Sequence, residues 1–215
     1  MTLEQTASDE PKVGYPRKRR QTRRRLVEAG TRVIAERGPG HVSAADVAAE
    51  ADVAVGTFYN HFNSVDALID AVAHELGRGI EIGRDTLAEI EHDPSRRVTL
   101  GVLQLLEMAD TAPAAAAAFV GLAAVRPEFR GRLRSLVDHA IRDGVADGTF
   151  DVQPGQAATN AVLGTTLQSM RSRILGESGP DEVPDVARLV LRVLGTDADM
   201  IEQIVTDAVA VAAPG

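Results

Sequence analysis

The sequence predicts an all-α protein, and three observations carry that reading. The chain of 215 residues is 44% hydrophobic but only 3% aromatic, and its β-branched runs are short, which favours helices over sheets. From about Thr22 onward, apolar residues recur at the three- and four-residue intervals of a helix face. Gly, Pro and capping residues interrupt those runs at helix-length spacing. Cysteine is absent, which excludes disulfides and cysteine-based metal sites and suits a reducing compartment. No stretch of eighteen apolar residues is present, so the expectation is a soluble, cytoplasmic chain without a membrane partner.

The net charge of −8 is unevenly distributed. Residues 11–64 hold ten Lys and Arg against five Asp and Glu, a balance of +5, whereas residues 65–215 carry −10. A positive module on a negative body orients one end toward a polyanion.

Residues 1–16 lack periodicity and contain Pro11, Gly14 and Pro16, so disorder is expected there. Arg17 to Arg25 then place seven positive charges in nine residues. Alone, such a run reads equally as a solvated or localisation-like segment. Beside a helix-turn-helix at residues 43–62 it reads as an arm for phosphates or the minor groove, with Arg19, Arg20 and Arg23 as contacts. The first helix begins near Thr22, leaving Arg17 to Arg20 flexible, and carries Leu26, Ala29, Gly30, Val33 and Ile34 on one stripe. Gly38-Pro39-Gly40 stops it.

Ser43 is suited to cap a second helix, in which Ala44, Val47, Ala48 and Ala51 form a thin apolar face. A tight turn at Asp52-Val53-Ala54 leads to a third helix from Val55 to Phe62, anchored by Phe58 and Phe62, whose other face bears Gly56, Thr57, Asn60 and His61. Two short helices in this relation form a helix-turn-helix, whose second member lies in the DNA major groove. The amides of Ser43 and Ala44 sit at a helix N-terminus, which suits a phosphate. Thr57, Tyr59 and His61 have polar groups for phosphate oxygens, Asn60 can read a base edge, and Val55 can touch a thymine methyl. The competing readings are a packed ring for Tyr59 and an exposed ring without a role for His61.

Ala51-Asp52-Val53-Ala54-Val55-Gly56-Thr57-Phe58-Tyr59-Asn60-His61-Phe62 resembles the recognition-helix signature of the TetR family of transcriptional repressors, a bacterial family, and the resemblance extends from Arg23 to about Leu68. Three positions depart from the family pattern. Asp52 replaces the usual turn Gly, Ala54 replaces a frequent capping Ser at a cost of about 1 kcal/mol, and Val65 replaces a phosphate-contacting Lys.

Ser64 caps a long fourth helix running to about His92, with Val65, Leu68, Ile69, Val72, Leu76 and Ile80 on one face; it links the basic module to the body. Asp93-Pro94 opens a fifth helix (Val98, Val102, Leu105, Leu106, Ala109), and Pro113 a sixth, an alanine run ending in Phe119, Leu122 and Val125. Pro127 opens a seventh, with Phe129, Leu133, Leu136, Val137, Ala140 and Ile141 opposite a solvated arginine face. Asp147-Gly148 is a turn and Phe150 tucks the loop. The eighth helix, about Gln156 to Gly176, sets Leu163, Leu167, Met170 and Ile174 against a thin side of Ala157, Ala161, Gly164 and Thr165. A ninth follows Pro184 (Val186, Leu189, Val190, Val193, Leu194), and a tenth runs from Met200 to Ala212.

These elements divide the chain into a tail (1–16), a three-helix helix-turn-helix DNA-binding domain (17–64) and a helical ligand-binding and dimerisation domain (65–215). One recognition helix buries too little surface to select a genomic site, so a homodimer on a palindromic double-stranded operator is expected. The eighth and ninth helices would supply its four-helix interface through Ala161, Gly164, Thr165, Gln168, Leu175, Leu189 and Val193, unless both lie inside one subunit. The family resemblance implies a cavity enclosed by helices four to eight for a small apolar or amphipathic effector, whose arrival displaces the fourth helix and releases DNA. Candidate lining residues are Leu105, Met108, Phe119, Leu122, Phe129, Leu133, Leu163, Leu167 and Met170, residue types that at such positions are more often simply core. The combined expectation is a ligand-responsive dimeric repressor without cofactor or catalytic residues. His74 and His92 are too far apart for a metal site, and Ser43, Ser64, Asp66 and His61 lie at helix caps and a DNA-facing surface. The alternative is a helical small-molecule-binding or protein-interaction module with only non-specific DNA affinity.

Overall fold

Helix α1 (Tyr15–Arg37) starts a full two turns before the expected Thr22, because Pro16 in its first turn and the Lys/Arg run behind it favour helix and nothing before Gly30 opposes it. Arg17 to Arg20 are therefore helical rather than a flexible arm. The computed structural model describes residues 15–212, so the expected tail lies outside the described residues up to position 14, and Tyr15 and Pro16 begin the helix. Leu26, Ala29, Val33 and Ile34 are buried as the stripe requires, and α1 ends before Gly38, whose φ of 79° only Gly adopts freely.

Two short helices follow, α2 (Ala44–Glu50) and α3 (Val55–Tyr59), then α4 (Val65–Ile90). Leu68, Ile69 and Val72 of α4 are buried with Leu26, Val47, Phe58 and Phe62, so the start of α4 completes the core of the first three helices. Gly30 makes this possible: a Cβ there would come within 2.9 Å of Leu68 Cδ2. Leu76 and Ile80 are only half-buried, and α4 ends two residues short of His92.

The body consists of α5 (Pro94–Thr111), α6 (Pro113–Val125), α7 (Pro127–Ala146), α8 (Gln156–Ile174), α9 (Val183–Val193) and α10 (Ala198–Ala212). Three successive helices open on a Pro, whose missing N–H costs nothing in a first turn. Asp93 adds a side-chain cap to α5, accepting from the Ser95 and Arg96 amides. The alanine-rich α6 packs against α1, α5, α7 and α8, so the run serves close approach from several sides. Its Phe119 meets Phe129 of α7 edge-to-face at 5.2 Å. Val125, at the end of α6, is exposed. Phe150 fills the space over Gly144, where a Cβ would fall 2.1 Å from its ring.

The face of α8 differs from expectation. Ala158, Thr159, Val162, Thr166 and Met170 point into the core, while Leu163 and Leu167 are half-buried and Gly164 is exposed. The helix is present, but its buried side is turned by about one residue, roughly 100°. The ninth and tenth helices also start a little earlier than expected, at Val183 and Ala198. The described residues contain no strand, and no helix among them is long and apolar enough to cross a membrane.

Candidate nucleic-acid interface

Ser43 caps α2 as its sequence position suggests: its hydroxyl accepts from the Asp46 amide at 3.2 Å. The same hydroxyl donates to the Asp46 carboxylate at 2.6 Å, with Arg37 alongside at 2.8 Å. The Ser43 bond, aided by Arg37, holds the Asp46 carboxyl below the usual carboxylate range. The Ala44 methyl is buried, so only its backbone amide can meet a phosphate. At the other end of α2 the chain reverses through Asp52, whose φ is 52°. The Asp52 amide donates to Ala49 at 3.1 Å and the Val53 amide to Ala48 at 2.9 Å, a paired closure that satisfies the last carbonyls of the helix. Arg25 of α1 adds a donor to the Ala51 carbonyl at 2.7 Å. The sequence carries no sign of that role, since Arg25 is one arginine within a dense basic run and nothing separates it from its neighbours.

Ala54 leaves α3 without a side-chain cap. Regular helix runs only from Val55 to Tyr59, shorter than the expected Val55–Phe62, yet the backbone bonding continues: Asn60 donates to Gly56 at 3.1 Å and Phe62 to Phe58 at 2.9 Å. Phe58 and Phe62 are buried, 0% and 4% exposed, and hold the ridge from beneath. Val55 and Tyr59 are 43% and 55% exposed, and Gly56 and Asn60 are exposed beside them. Thr57 and His61 are partly covered. The structure thus presents Val55, Gly56, Tyr59 and Asn60 together on one open surface.

The early start of α1 brings charge to this surface. Arg23 lies over the Phe62 ring, 4.9 Å from its centre, an attraction between guanidinium and ring face. The His61 imidazole is held below its ordinary pKa, first by partial burial and then by the charges of Arg19 and Arg23. Arg19 and Arg23 are one helical turn apart on α1, and Arg20 is exposed on α1 as well.

The candidate effector lining lies elsewhere. Phe119, Leu122, Phe129, Leu133 and Met170 are packed core, while Leu105, Met108, Leu163 and Leu167 are half-buried against it. Of these nine, Phe129 borders a cleft of about 430 Å³ between α4 and α7, whose other walls include Asp70, His74, Arg126 and Arg132. Arg126, at the joint between α6 and α7, reaches Asp66 at 2.5 Å and Asp70 at 3.7 Å in the first turns of α4. Of the expected interface residues, Gly164, Gln168, Leu175 and Leu189 are exposed, and Ala161, Thr165 and Val193 partly so.

Known proteins match this architecture. The family described as bacterial regulatory proteins, tetR family, matches residues 26–72. The HTH-type transcriptional repressor DhaR of Mycobacterium sp. (strain GP1) is 35% identical over 89 residues, which span 41% of this chain and 45% of that protein. An uncharacterized HTH-type transcriptional regulator of Mycobacterium tuberculosis is 26% identical over 192 residues, 87% of each chain. Among solved structures, RolR in complex with resorcinol superposes with a TM-score of 0.66 at 24% identity, covering 88% of this chain and 95% of that one. A gamma-butyrolactone receptor (ArpA-like protein) superposes with a TM-score of 0.74 at 16% identity, covering 90% and 98%. At those identities the structures establish the fold alone, and they establish it over the body as well as the basic module. The basic module, residues 26–72 with the recognition motif on α3, is thus that of the tetR family of bacterial regulatory proteins, and the body behind it shares the fold of these solved structures.

Proposed function

We propose that this regulator is a cytoplasmic repressor that binds a palindromic DNA operator as a homodimer and leaves it when a small apolar or amphipathic effector occupies the body. The observation that carries the reading is the exposed ridge Val55–Asn60, supported by Phe58 and Phe62, with Arg23 over the Phe62 ring and the charges of Arg19 and Arg23 acting on His61. In this arrangement Asn60 reads a base edge, Val55 meets a thymine methyl, and Thr57, Tyr59, His61 and the α2 amides at Ser43 and Ala44 hold phosphates. Gly56 allows the backbone of α3 to approach the duplex. The named relatives are consistent with this reading: DhaR is a repressor, and RolR binds resorcinol.

The body supplies the response. Arg126 ties the joint of α6 and α7 to the first turns of α4, and Leu68 of α4 is locked against α1. An effector that wedges apart α5 to α8 therefore shifts α4 and carries the recognition surface with it. The five fully packed candidates, Phe119, Leu122, Phe129, Leu133 and Met170, must repack to admit it, and Leu105, Met108, Leu163 and Leu167 border the way in.

Selection from random duplex DNA tests the function. The expected result is a two-fold symmetric site, with the base preference of one step in each half-site altered in Asn60→Ala. Recovery of no preferred duplex would leave only the module with non-specific affinity.

A further inference from the structure

Arg173, near the end of α8, has a side chain only 4% exposed. One Nη is paired with Asp110 of α5, but Nε and the other Nη are buried without any partner. A buried donor left unmade costs more than a typical hydrogen bond contributes, and a charged donor more still. Arg173 borders a cleft of about 180 Å³, room for about six waters' worth of liquid. Gln168 and Ser172 supply further polar lining, and Leu106, Val183 and Val186 supply an apolar wall. We propose that this cleft is a binding site for a small uncharged molecule with an apolar body and a carbonyl-type oxygen that accepts from Arg173.

Charge decides against an anion. Asp110 already balances the guanidinium, and Glu177 and Glu182 also border the cleft, leaving the surroundings net negative. Glu177 is held there by two contacts: its amide donates to the Ser172 carbonyl at 2.8 Å, and its carboxylate accepts from the Ser172 hydroxyl at 3.2 Å. A carboxylate or phosphate entering the cleft meets these two acids, whereas a neutral acceptor uses the free donors without that repulsion. Leu106, fully buried beneath the cleft, favours an organic molecule over water alone. The cleft is apart from the nine lining candidates of the effector pocket, and it rests on the ligand-responsive reading only for what occupancy does to DNA binding.

The test follows the Arg173 Nε–H resonance in the full chain by NMR, assigned from its loss in Arg173→Lys. Acetophenone, benzoate, inorganic phosphate and toluene are titrated in separate arms without DNA, so the result is independent of any operator. The expected outcome is a saturable shift with acetophenone, at least tenfold weaker binding by the Lys variant, and no shift with the other three. An unmoved resonance in the acetophenone arm overturns the site, as does preferential binding of benzoate or phosphate. If the Lys variant fails to fold, the wild-type resonance, assigned instead by through-bond correlation to the Arg173 backbone amide, still decides.

Discussion

Asp52 occupies a backbone conformation that costs an L-residue about 1–2 kcal/mol, with Asp among the residues that tolerate it best. The same paired closure ends α7, α8 and α9, at Gly148, Gly176 and Gly195, so α2 alone among these four relies on a side chain that is not Gly. Asp52→Ala is expected to lower stability by about 1 kcal/mol, whereas Asp52→Gly, relieved of strain but freer when unfolded, stays within about 0.5 kcal/mol of the parent. Urea unfolding of the three proteins checks this. His61 gives a second residue-scale prediction. Its pKa is depressed in the free protein by burial and by Arg19 and Arg23, so it is mostly neutral at pH 7. A phosphate beside it reverses that field and raises the pKa, so DNA binding takes up protons. Affinity should therefore rise as pH falls through the pKa of the bound form, and His61→Gln should flatten that dependence. A slope unchanged in the variant excludes His61 from the interface. Stability runs the other way. The unfolded chain binds the proton more readily, so the His61 contribution is present above the ordinary imidazole pKa and is lost as pH falls below it.

At the scale of elements, α1 and α8 show what periodicity can and cannot specify. The stripe Leu26–Ile34 marks the buried face of α1 because polar residues surround it, but the start of the helix is obscured: a run of arginines has no apolar phase, and charge suggests a loose arm where helix propensity prevails. The longer helix changes the expectation for Arg19, which is held on α1 one turn before Arg23 instead of lying in a flexible arm. Arg19→Ala should weaken binding to all sequences and reduce the log–log salt slope by about 0.9 for a lost phosphate contact. Arg23→Ala should do the same and also lower stability by about 0.5–1 kcal/mol, because it leaves the Phe62 ring uncovered. Fluorescence anisotropy over a salt series, paired with thermal unfolding, separates the two. In α8 the difficulty is the opposite. Ala157, Ala161, Val162, Leu163, Thr166 and Leu167 surround the axis with small or apolar groups, so no phase is privileged and the neighbours α5, α6, α7 and α9 choose which side is buried. The helix-turn-helix is legible for the reason α8 is not: Ser43, Phe58 and Phe62 are each the kind of residue that only one local geometry uses well.

At the scale of the molecule, the body is anchored to the basic module twice, through α4 and through α6, where Gly121 brings the backbone against Pro39 just after α1. The junction near residue 64 is thus continuous in packing. What a single copy leaves open is the outer side of α8 and α9, where Leu175 and Leu189 are 58% and 48% exposed beside exposed Gly164. A two-fold axis over this side would bury the same patch on both copies, and the small residues Ala161, Gly164 and Thr165 would let the helices approach closely. Leu189→Glu places a charge at the centre of that patch and, repeated by symmetry, sets two charges against each other without a partner. Sedimentation should show the parent as a dimer and Leu189→Glu as a monomer with its helical content retained, because the side chain at 189 is already half open to solvent in a single copy. Affinity for a palindromic duplex should then fall to that of an isolated half-site, since the second recognition surface is no longer held in register with the first. A variant that remains dimeric moves the interface away from α9; one that is monomeric yet keeps full affinity removes symmetry from the recognition of DNA.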